Sequence, residues 1–318
     1  MQDRPKFSIV IPAYNRMQSL PRAVASVLGQ TEKDIELIVV DEASTDGTQE
    51  YLATLTDPRV RATGRDPDGA PPRRLGVAAA RNLGLAAARA DVVTFFDSDD
   101  VCRPNYVAAH LAAYADNPAV VCVVCSTLMH LSNGSRESTV PDVTLPPRVF
   151  EWAVITDLFP IFAPGTSMRR DHAVAIGGFN AAMSLAEDRE ILVRLASRGA
   201  IRLISDVLWE KYWTPGGLSH LGEKAGPQHM ILMEQCPDYR TRFPKVASYC
   251  TTRVLVADIR RGLWGALWRD VRAFRKAGLL DGGLLRLWRD HREVRRYRRD
   301  MRKPGALASI VDPPRRWD

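Results

Sequence analysis

GVAAARNLGLAAARADVVTFFDSDD, residues 76–100, reads as a helix, a short turn and a buried strand that stops on three carboxylates within four residues, Asp97, Asp99 and Asp100. Val92, Val93, Thr94, Phe95 and Phe96 are β-branched or aromatic, as a strand covered on both faces requires. The acids therefore sit at a strand's C-terminal end, which is where an open α/β sheet binds its ligands. Like charges this close repel unless a cation or a donor-rich ligand neutralises them, and hard oxygens suit Mg2+ or Mn2+ shared with a phosphate. A solvated acidic turn capping the next helix fits the same four residues.

Upstream, Phe7–Ile11 (FSIVI) is a short apolar strand running into Pro12, Ala13, Tyr14 and Asn15. A helix is expected from Ser19-Leu20-Pro21, with Ser as N-cap, Pro in the first turn, and Leu20, Val24, Val27 and Leu28 on one face. Residues 35–40 (IELIVV) form a second buried strand ending on Asp41, and Asp46-Gly47-Thr48 opens another helix. Arg59–Thr63 is a candidate third strand. Strand and helix alternating at this spacing predict an α/β fold with a mostly parallel central sheet and crossover helices. Residues 64–74 (GRDPDGAPPRR) read as a flexible insertion. Downstream come a helix over 104–115, a strand over 120–124, and a polar excursion across the surface from Ser132 to Pro147.

The chain has 318 residues, 46% of them hydrophobic and 25% charged, ordinary for a globular protein. No apolar run approaches the ~20 residues that span a bilayer, and Met1–Val10 lacks a signal-peptide pattern. A cytoplasmic location is the expectation. Cys122 and Cys125 lie in the core-like run VVCVVC without a second pair, so buried free thiols are expected rather than a zinc site.

Charge is unevenly spread. Residues 240–318 hold 21 Lys/Arg against 8 Asp/Glu, while residues 1–239 hold 23 against 29. This break marks a domain boundary, set between a domain over 1–222 and a basic amphipathic helical region over 223–318. In the latter, Leu263, Leu267, Val271 and Phe274 follow helical spacing, as do Leu284, Leu287, Val294 and Met301. An Arg-rich face there could meet anionic lipid at the inner face of the membrane, dock on the acidic domain or form a homodimer. Trp264, Trp268 and Trp288 favour packing, because tryptophan usually signals burial. No nucleic-acid-binding module is recognisable.

If the strands are parallel neighbours, the segments 12–15, 41–44 and 97–100 converge on one crevice suited to a nucleoside diphosphate. Neither G-x-x-x-x-G-K-[ST] nor G-x-G-x-x-G follows the first strand, which excludes the ATP-type phosphate loop and the dinucleotide fingerprint. A nucleotidyltransferase, which would need a Gly-rich loop there, is disfavoured for the same reason.

The motifs IPAYNR (11–16), IVVDEASTDGT (38–48), ARNLGLAAARADVVTFFDSDD (80–100), IGGFN (176–180) and AEDREILVRLA (186–196) occur in order, and with them the chain resembles the family 2 inverting glycosyltransferases of GT-A (Rossmann-like) fold. The resemblance gives out beyond about Gly222, which sets the domain boundary there. The resemblance implies transfer of a sugar from a nucleotide-diphosphate donor, a UDP-sugar favoured, to a hydroxyl of a carbohydrate or lipid-linked acceptor in polysaccharide or glycoconjugate biosynthesis. It implies that Pro12, Ala13, Tyr14, Asn15, Asp41, Arg81, Asp97, Ser98 and Glu187 bind the nucleotide sugar. It further implies that Asp99 with Asp97 holds Mn2+ or Mg2+, and that Asp188 is the general base.

Three features pull on that assignment. Ser184-Leu185-Ala186-Glu187 reads as a capping box, which would put Asp188 in a helix's first turn, where the helix dipole lowers its pKa while Glu187 raises it. Asp41-Glu42-Ala43-Ser44 stands where the family commonly has Asp-Asp-Gly-Ser, and Thr214 where many members carry a His, with His220 nearby. These departures motivate an alternative, a non-catalytic nucleotide- or glycan-binding relative. Trp209, Tyr212 and Trp213 are candidates either for stacking on a sugar or for the core.

Overall fold

The computed structural model describes residues 4–64, 74–131, 133–159, 161–183, 186–212, 230, 244–301 and 306. The insertion at 65–73, Trp213, Thr214, His220, Cys236 and the 222/223 boundary lie outside the described residues.

Alternation of buried aliphatic residues builds the sheet. Strands β1 (Phe7–Ala13) and β2 (Ile35–Asp41) are buried at every position. Val10, Ile38 and Val40 project into one core, and Ile9, Ile11, Leu37 and Val39 into another. A strand buried on both faces belongs in the middle of three layers. Further strands are β3 (Val60–Thr63), β4 (Val92–Phe95), β5 (Val101–Cys102), β6 (Val120–Leu131), β7 (Gly134–Ser138), β8 (Val143–Leu145), β9 (Thr166–Arg169) and β10 (Ala200–Tyr212). They pair in the order β3-β2-β1-β4-β9-β6-β10-β5, with β7 on β6 and β8 on β10. The first four strands are parallel, as are β6 and β10, while β9 enters antiparallel between β4 and β6.

Helices α1 (Leu20–Leu28), α2 (Thr48–Thr54), α3 (Val77–Ala87) and α4 (Tyr106–Asp116) lie close to their expected places. A Cβ on Gly84 would meet Val10 Cγ1 at 2.1 Å, so the bare glycine lets α3 lie flush on β1. Across the same face Asn82 clamps the GGFN turn, donating to Phe179 O at 2.8 Å and accepting from Phe179 N at 2.8 Å.

The 132–147 region departs from expectation. Instead of an excursion, β7 extends a twelve-residue β6 as a hairpin partner and β8 adds to β10. Helices α5 (Pro147–Ile155), α6 (Arg170–Ala175) and α7 (Glu187–Ala196) then complete the unit. Cys122 and Cys125 are buried free thiols, and burial pushes their pKa values up.

The C-terminal helices α8 (Pro244–Arg260), α9 (Trp264–Lys276) and α10 (Gly283–Met301) share the core of the sheet through Val246, Tyr249, Phe274 and Val294. The Trp152 and Tyr297 rings meet edge to face at 5.0 Å. Asp157 is the polar anchor, accepting from Arg253 at 3.0 Å, from Arg189 on its carboxylate and from Arg298 on its carbonyl. The tryptophans expected to make this packing do not. Trp264, Trp268 and Trp288 are 60%, 64% and 57% exposed, and Leu284 is 80% exposed. No described helix is long and apolar enough to cross a membrane.

Candidate active site

Sheet register brings the three strand ends together. Ala13 is paired with Asp41 and Val10 with Phe95, so 12–15, 41–44 and 97–100 leave adjacent parallel strands at the same edge. Asn15 N donates to Ser44 Oγ at 2.8 Å, and Asn15 Oδ1 accepts from Thr45 N at 2.8 Å, tying the first two segments into one wall. Asp41 accepts from Gln49 Nε2 at 2.9 Å and from Ser44 N at 3.3 Å. The ring of Tyr14 is half-buried, with the Arg74 guanidinium 4.6 Å from its centre.

Backbone strain gathers here. Asn15, Ala43 and Ala186 have φ of 52°, 62° and 61°. Asn tolerates this left-handed region, whereas alanine does so at a cost of about 1 kcal/mol. Glu42 Oε2 accepts from Leu75 N at 2.8 Å and Gly76 N at 2.7 Å, so the departure from Asp-Asp-Gly-Ser serves the entry to α3.

The acidic turn forms the floor. Asp97, Asp99 and Asp100 each offer a carboxylate oxygen, all within 4.8 Å of one another. Asp100 is fully buried. Its Oδ1 accepts from Tyr212 N at 3.0 Å, but its Oδ2 has no hydrogen-bond partner among the described residues and faces Lys211 Nζ at 3.7 Å. Burial, with Asp97 and Asp99 adding to it, pushes the Asp100 pKa well above the carboxylate range despite Lys211. An incompletely compensated, oxygen-only donor set of this kind fits a hard divalent cation. Arg22 braces the turn from outside, donating to Asp99 O at 2.8 Å.

Arg81 joins this floor to a distant segment. It is 3% exposed, and donates to Asp97 at 2.9 Å and to Glu187 at 2.6 Å. Helix α7 starts at Glu187 with Ala186 as N-cap, which puts Asp188 in its first turn as expected, and the Glu187 carboxylate accepts from Arg81. Ser184 and Leu185 lie outside the described residues. Asp188 follows, enclosed by protein while keeping part of its surface open. Loss of solvation, then repulsion by Glu187, raises its pKa to about 6 against the pull of Arg189 and Arg81.

The described residues among Pro12–Asn15, Asp41, Arg81, Asp97–Asp99, Glu187 and Asp188 thus gather at this one edge, while Trp213, Thr214 and His220 lie outside the described residues. Sequence reasoning missed Lys211, whose ammonium feels Asp100, Asp97, Asp99 and Asp188 together and has its pKa raised by them despite burial. Its signal was alternation along β10: Trp209 is core at 1% exposure, and Lys211 two residues on shares its side of the strand. Tyr212 is half-buried, stacked on His130 at 4.4 Å and covered by Arg22.

Residues 8–176 match the pattern of Glycosyl transferase family 2. The chain belongs to that family, and its architecture is the GT-A fold. It is 34% identical over 150 residues to the succinoglycan biosynthesis protein ExoO of Rhizobium meliloti, covering 45% of this chain and 41% of ExoO. It is 35% identical over 114 residues to the putative colanic acid biosynthesis glycosyl transferase WcaA of Escherichia coli, covering 35% and 39%. The matched stretches therefore span less than half of these relatives. Among solved structures, S. aureus TarS 1–349 in complex with UDP-GlcNAc superposes with a TM-score of 0.61 at 17% identity, covering 93% of this chain and 92% of that one. The mannosyltransferase PcManGT from Pyrobaculum calidifontis, in complex with GDP-Man and Mn2+, gives 0.57 at 17%, covering 94% and 87%.

Proposed function

We propose that this chain is a metal-dependent, inverting glycosyltransferase that moves a sugar from a nucleoside-diphosphate donor to a hydroxyl acceptor in polysaccharide or glycoconjugate biosynthesis. The observation that carries it is the meeting of two acidic segments, Asp97–Asp100 and Glu187–Asp188, through the single buried guanidinium of Arg81. Relatives named for succinoglycan and colanic acid biosynthesis, and fold neighbours solved with UDP-GlcNAc or with GDP-Man and Mn2+, support the donor class and the metal.

In this reading Pro12–Asn15, Asp41 and Ser98 line the nucleoside side of the cleft. Arg81 holds Asp97 and Glu187 in place through its two ion pairs. Mn2+ or Mg2+ held by Asp99 and Asp97 would offset the negative charge that develops on the departing diphosphate. The acceptor oxygen attacks the anomeric carbon, the bond to the diphosphate oxygen breaks, and the hydroxyl proton passes to the Asp188 carboxylate. A pKa near 6 makes Asp188 a stronger base than an ordinary aspartate while leaving it mostly ionised at neutral pH. The chemistry falls within residues 1–222, and the C-terminal helices are an appendage docked on α5.

Thermal-shift measurements with UDP, GDP and dTDP, each with and without Mn2+, test the site. One nucleotide should stabilise the protein by roughly 5 °C at a hundredfold excess over its Kd. The cation-dependent part of that shift should vanish in Asp99→Asn. A nucleotide shift indifferent to Mn2+ in both proteins removes Asp99 as a ligand.

A further inference from the structure

Helices α9 and α10 bury one face and leave the other bare. Inward, Phe274 and Val294 are fully buried. Outward, Trp264, Trp268 and Trp288 are more than half exposed, and Leu284 and Leu285 are 80% and 86% exposed. Globular surfaces carry single apolar residues freely, but three indoles and a leucine pair on two consecutive helices mark a binding surface. These leucines open α10 directly after the turn at 277–282.

The polar residues beside them are cationic. Arg272, Arg275 and Lys276 on α9, and Arg286, Arg289 and Arg292 on α10, are exposed. Between 264 and 301 Asp281 is the one exposed carboxylate. The Arg292 guanidinium lies 4.6 Å from the Trp288 ring centre, so indole and cation are presented together.

We propose that this face docks the protein on an anionic lipid surface. Trp264, Trp268, Trp288, Leu284 and Leu285 enter the boundary between headgroups and acyl chains, and the arginines meet the headgroup phosphates. Indoles suit that boundary because one edge is polar and the rest apolar, and positive charge beside an apolar face adds attraction to anionic lipid. A second copy of the chain is a poorer occupant, since a two-fold interface would set these arginine rows against themselves. A nucleic acid would satisfy the arginines but offer the two leucines no hydrocarbon to enter.

Vesicle flotation of the full chain decides it. With vesicles of phosphatidylcholine and roughly one-third phosphatidylglycerol, the protein should float at physiological ionic strength, and with phosphatidylcholine alone it should not. Tryptophan emission should shift to shorter wavelength and be quenched by bromine on the acyl chains. The double substitution Leu284→Asp, Leu285→Asp should lower partitioning by at least about tenfold. Because both side chains are exposed, it should leave thermal unfolding and the nucleotide-induced shift unchanged. Failure to float with the anionic vesicles overturns the proposal. So does undiminished flotation of the double variant, which would mark a charge-only patch. So does light scattering that finds a dimer split by the double variant, which would assign the face to a second copy.

Discussion

Glu36, the second residue of β2, and the turn at 97–100, just past β4, place carboxylates at opposite ends of one sheet, and their surroundings differ. Glu36 is 1% exposed and fully partnered. Its Oε1 accepts from Ser8 Oγ at 2.7 Å and Arg89 N at 2.6 Å, and its Oε2 from Arg61 at 2.7 Å and Arg89 Nε at 3.0 Å. Burial pushes its pKa up, yet these donors together bring it below the ordinary value. At the other end three acids crowd together, one oxygen of Asp100 lacks a hydrogen-bond partner among the described residues, and the pKa of that group moves upward. A buried charge with its donors in place is architecture. A buried charge short of them is a place where the protein leaves room for something else to supply the compensation.

The sharpest way to break the comparison is at Asp188. Asp188→Asn keeps the shape and removes the base, so turnover of the accepted nucleotide sugar should fall by about 10²–10⁴-fold while the fold is retained. Equal turnover by the two proteins removes Asp188 from the chemistry. The converse substitution, Glu36→Ala, should leave cation-dependent nucleotide binding intact and lower stability by about 2–4 kcal/mol in urea unfolding, because Arg89 N and two half-exposed guanidiniums lose their shared acceptor. A loss under about 0.5 kcal/mol would mean that water replaces the carboxylate there, and the contrast between the two ends would fail.

Much of this contrast was legible in the chain. Short continuous apolar runs located β1, β2 and β4, and once these are parallel neighbours their trailing segments must converge. Partners far apart in sequence were not legible: Arg81 meets Glu187 across 106 positions, and no local pattern announces that. Reading Trp264, Trp268 and Trp288 as buried failed because hydrophobicity permits burial without requiring it. Helical spacing found the inward stripe through Phe274 and Val294 but could not say that the flanking indoles face outward.

The pH profile sharpens the comparison further. Asp188 has a folded pKa of about 6 against an ordinary 3.8. The native state therefore holds this proton more tightly than the unfolded chain, and this group's contribution to stability declines as pH rises from about 4 through about 6. Activity runs the other way, since the base must be ionised. The kcat/KM should fall about tenfold per pH unit below about 6 and level off above it. Asp188→Asn should flatten the stability change over that interval. A profile level down to pH 5 would show that a group with an unshifted pKa governs the rate.

Ala43 offers the smallest effect and the closest look at why the two ends differ. Its φ of 62° puts a Cβ where glycine would rest without strain, directly after Asp41 and Glu42 and beside Ser44, which holds Asn15. None of the residues around Glu36 has a positive φ among the described residues. Ala43→Gly relieves the left-handed strain but widens the unfolded ensemble, and the two effects partly cancel. The net expected gain is at most about 0.5 kcal/mol in urea unfolding. If the strain serves to stiffen the wall made by 12–15 and 41–44, the stabilised variant should bind its nucleotide more weakly by a few-fold, since looser walls must be ordered on binding. Unchanged affinity alongside higher stability would make the strain incidental to binding, and the crowding of Asp97, Asp99 and Asp100 would alone separate the working end of the sheet from the structural one.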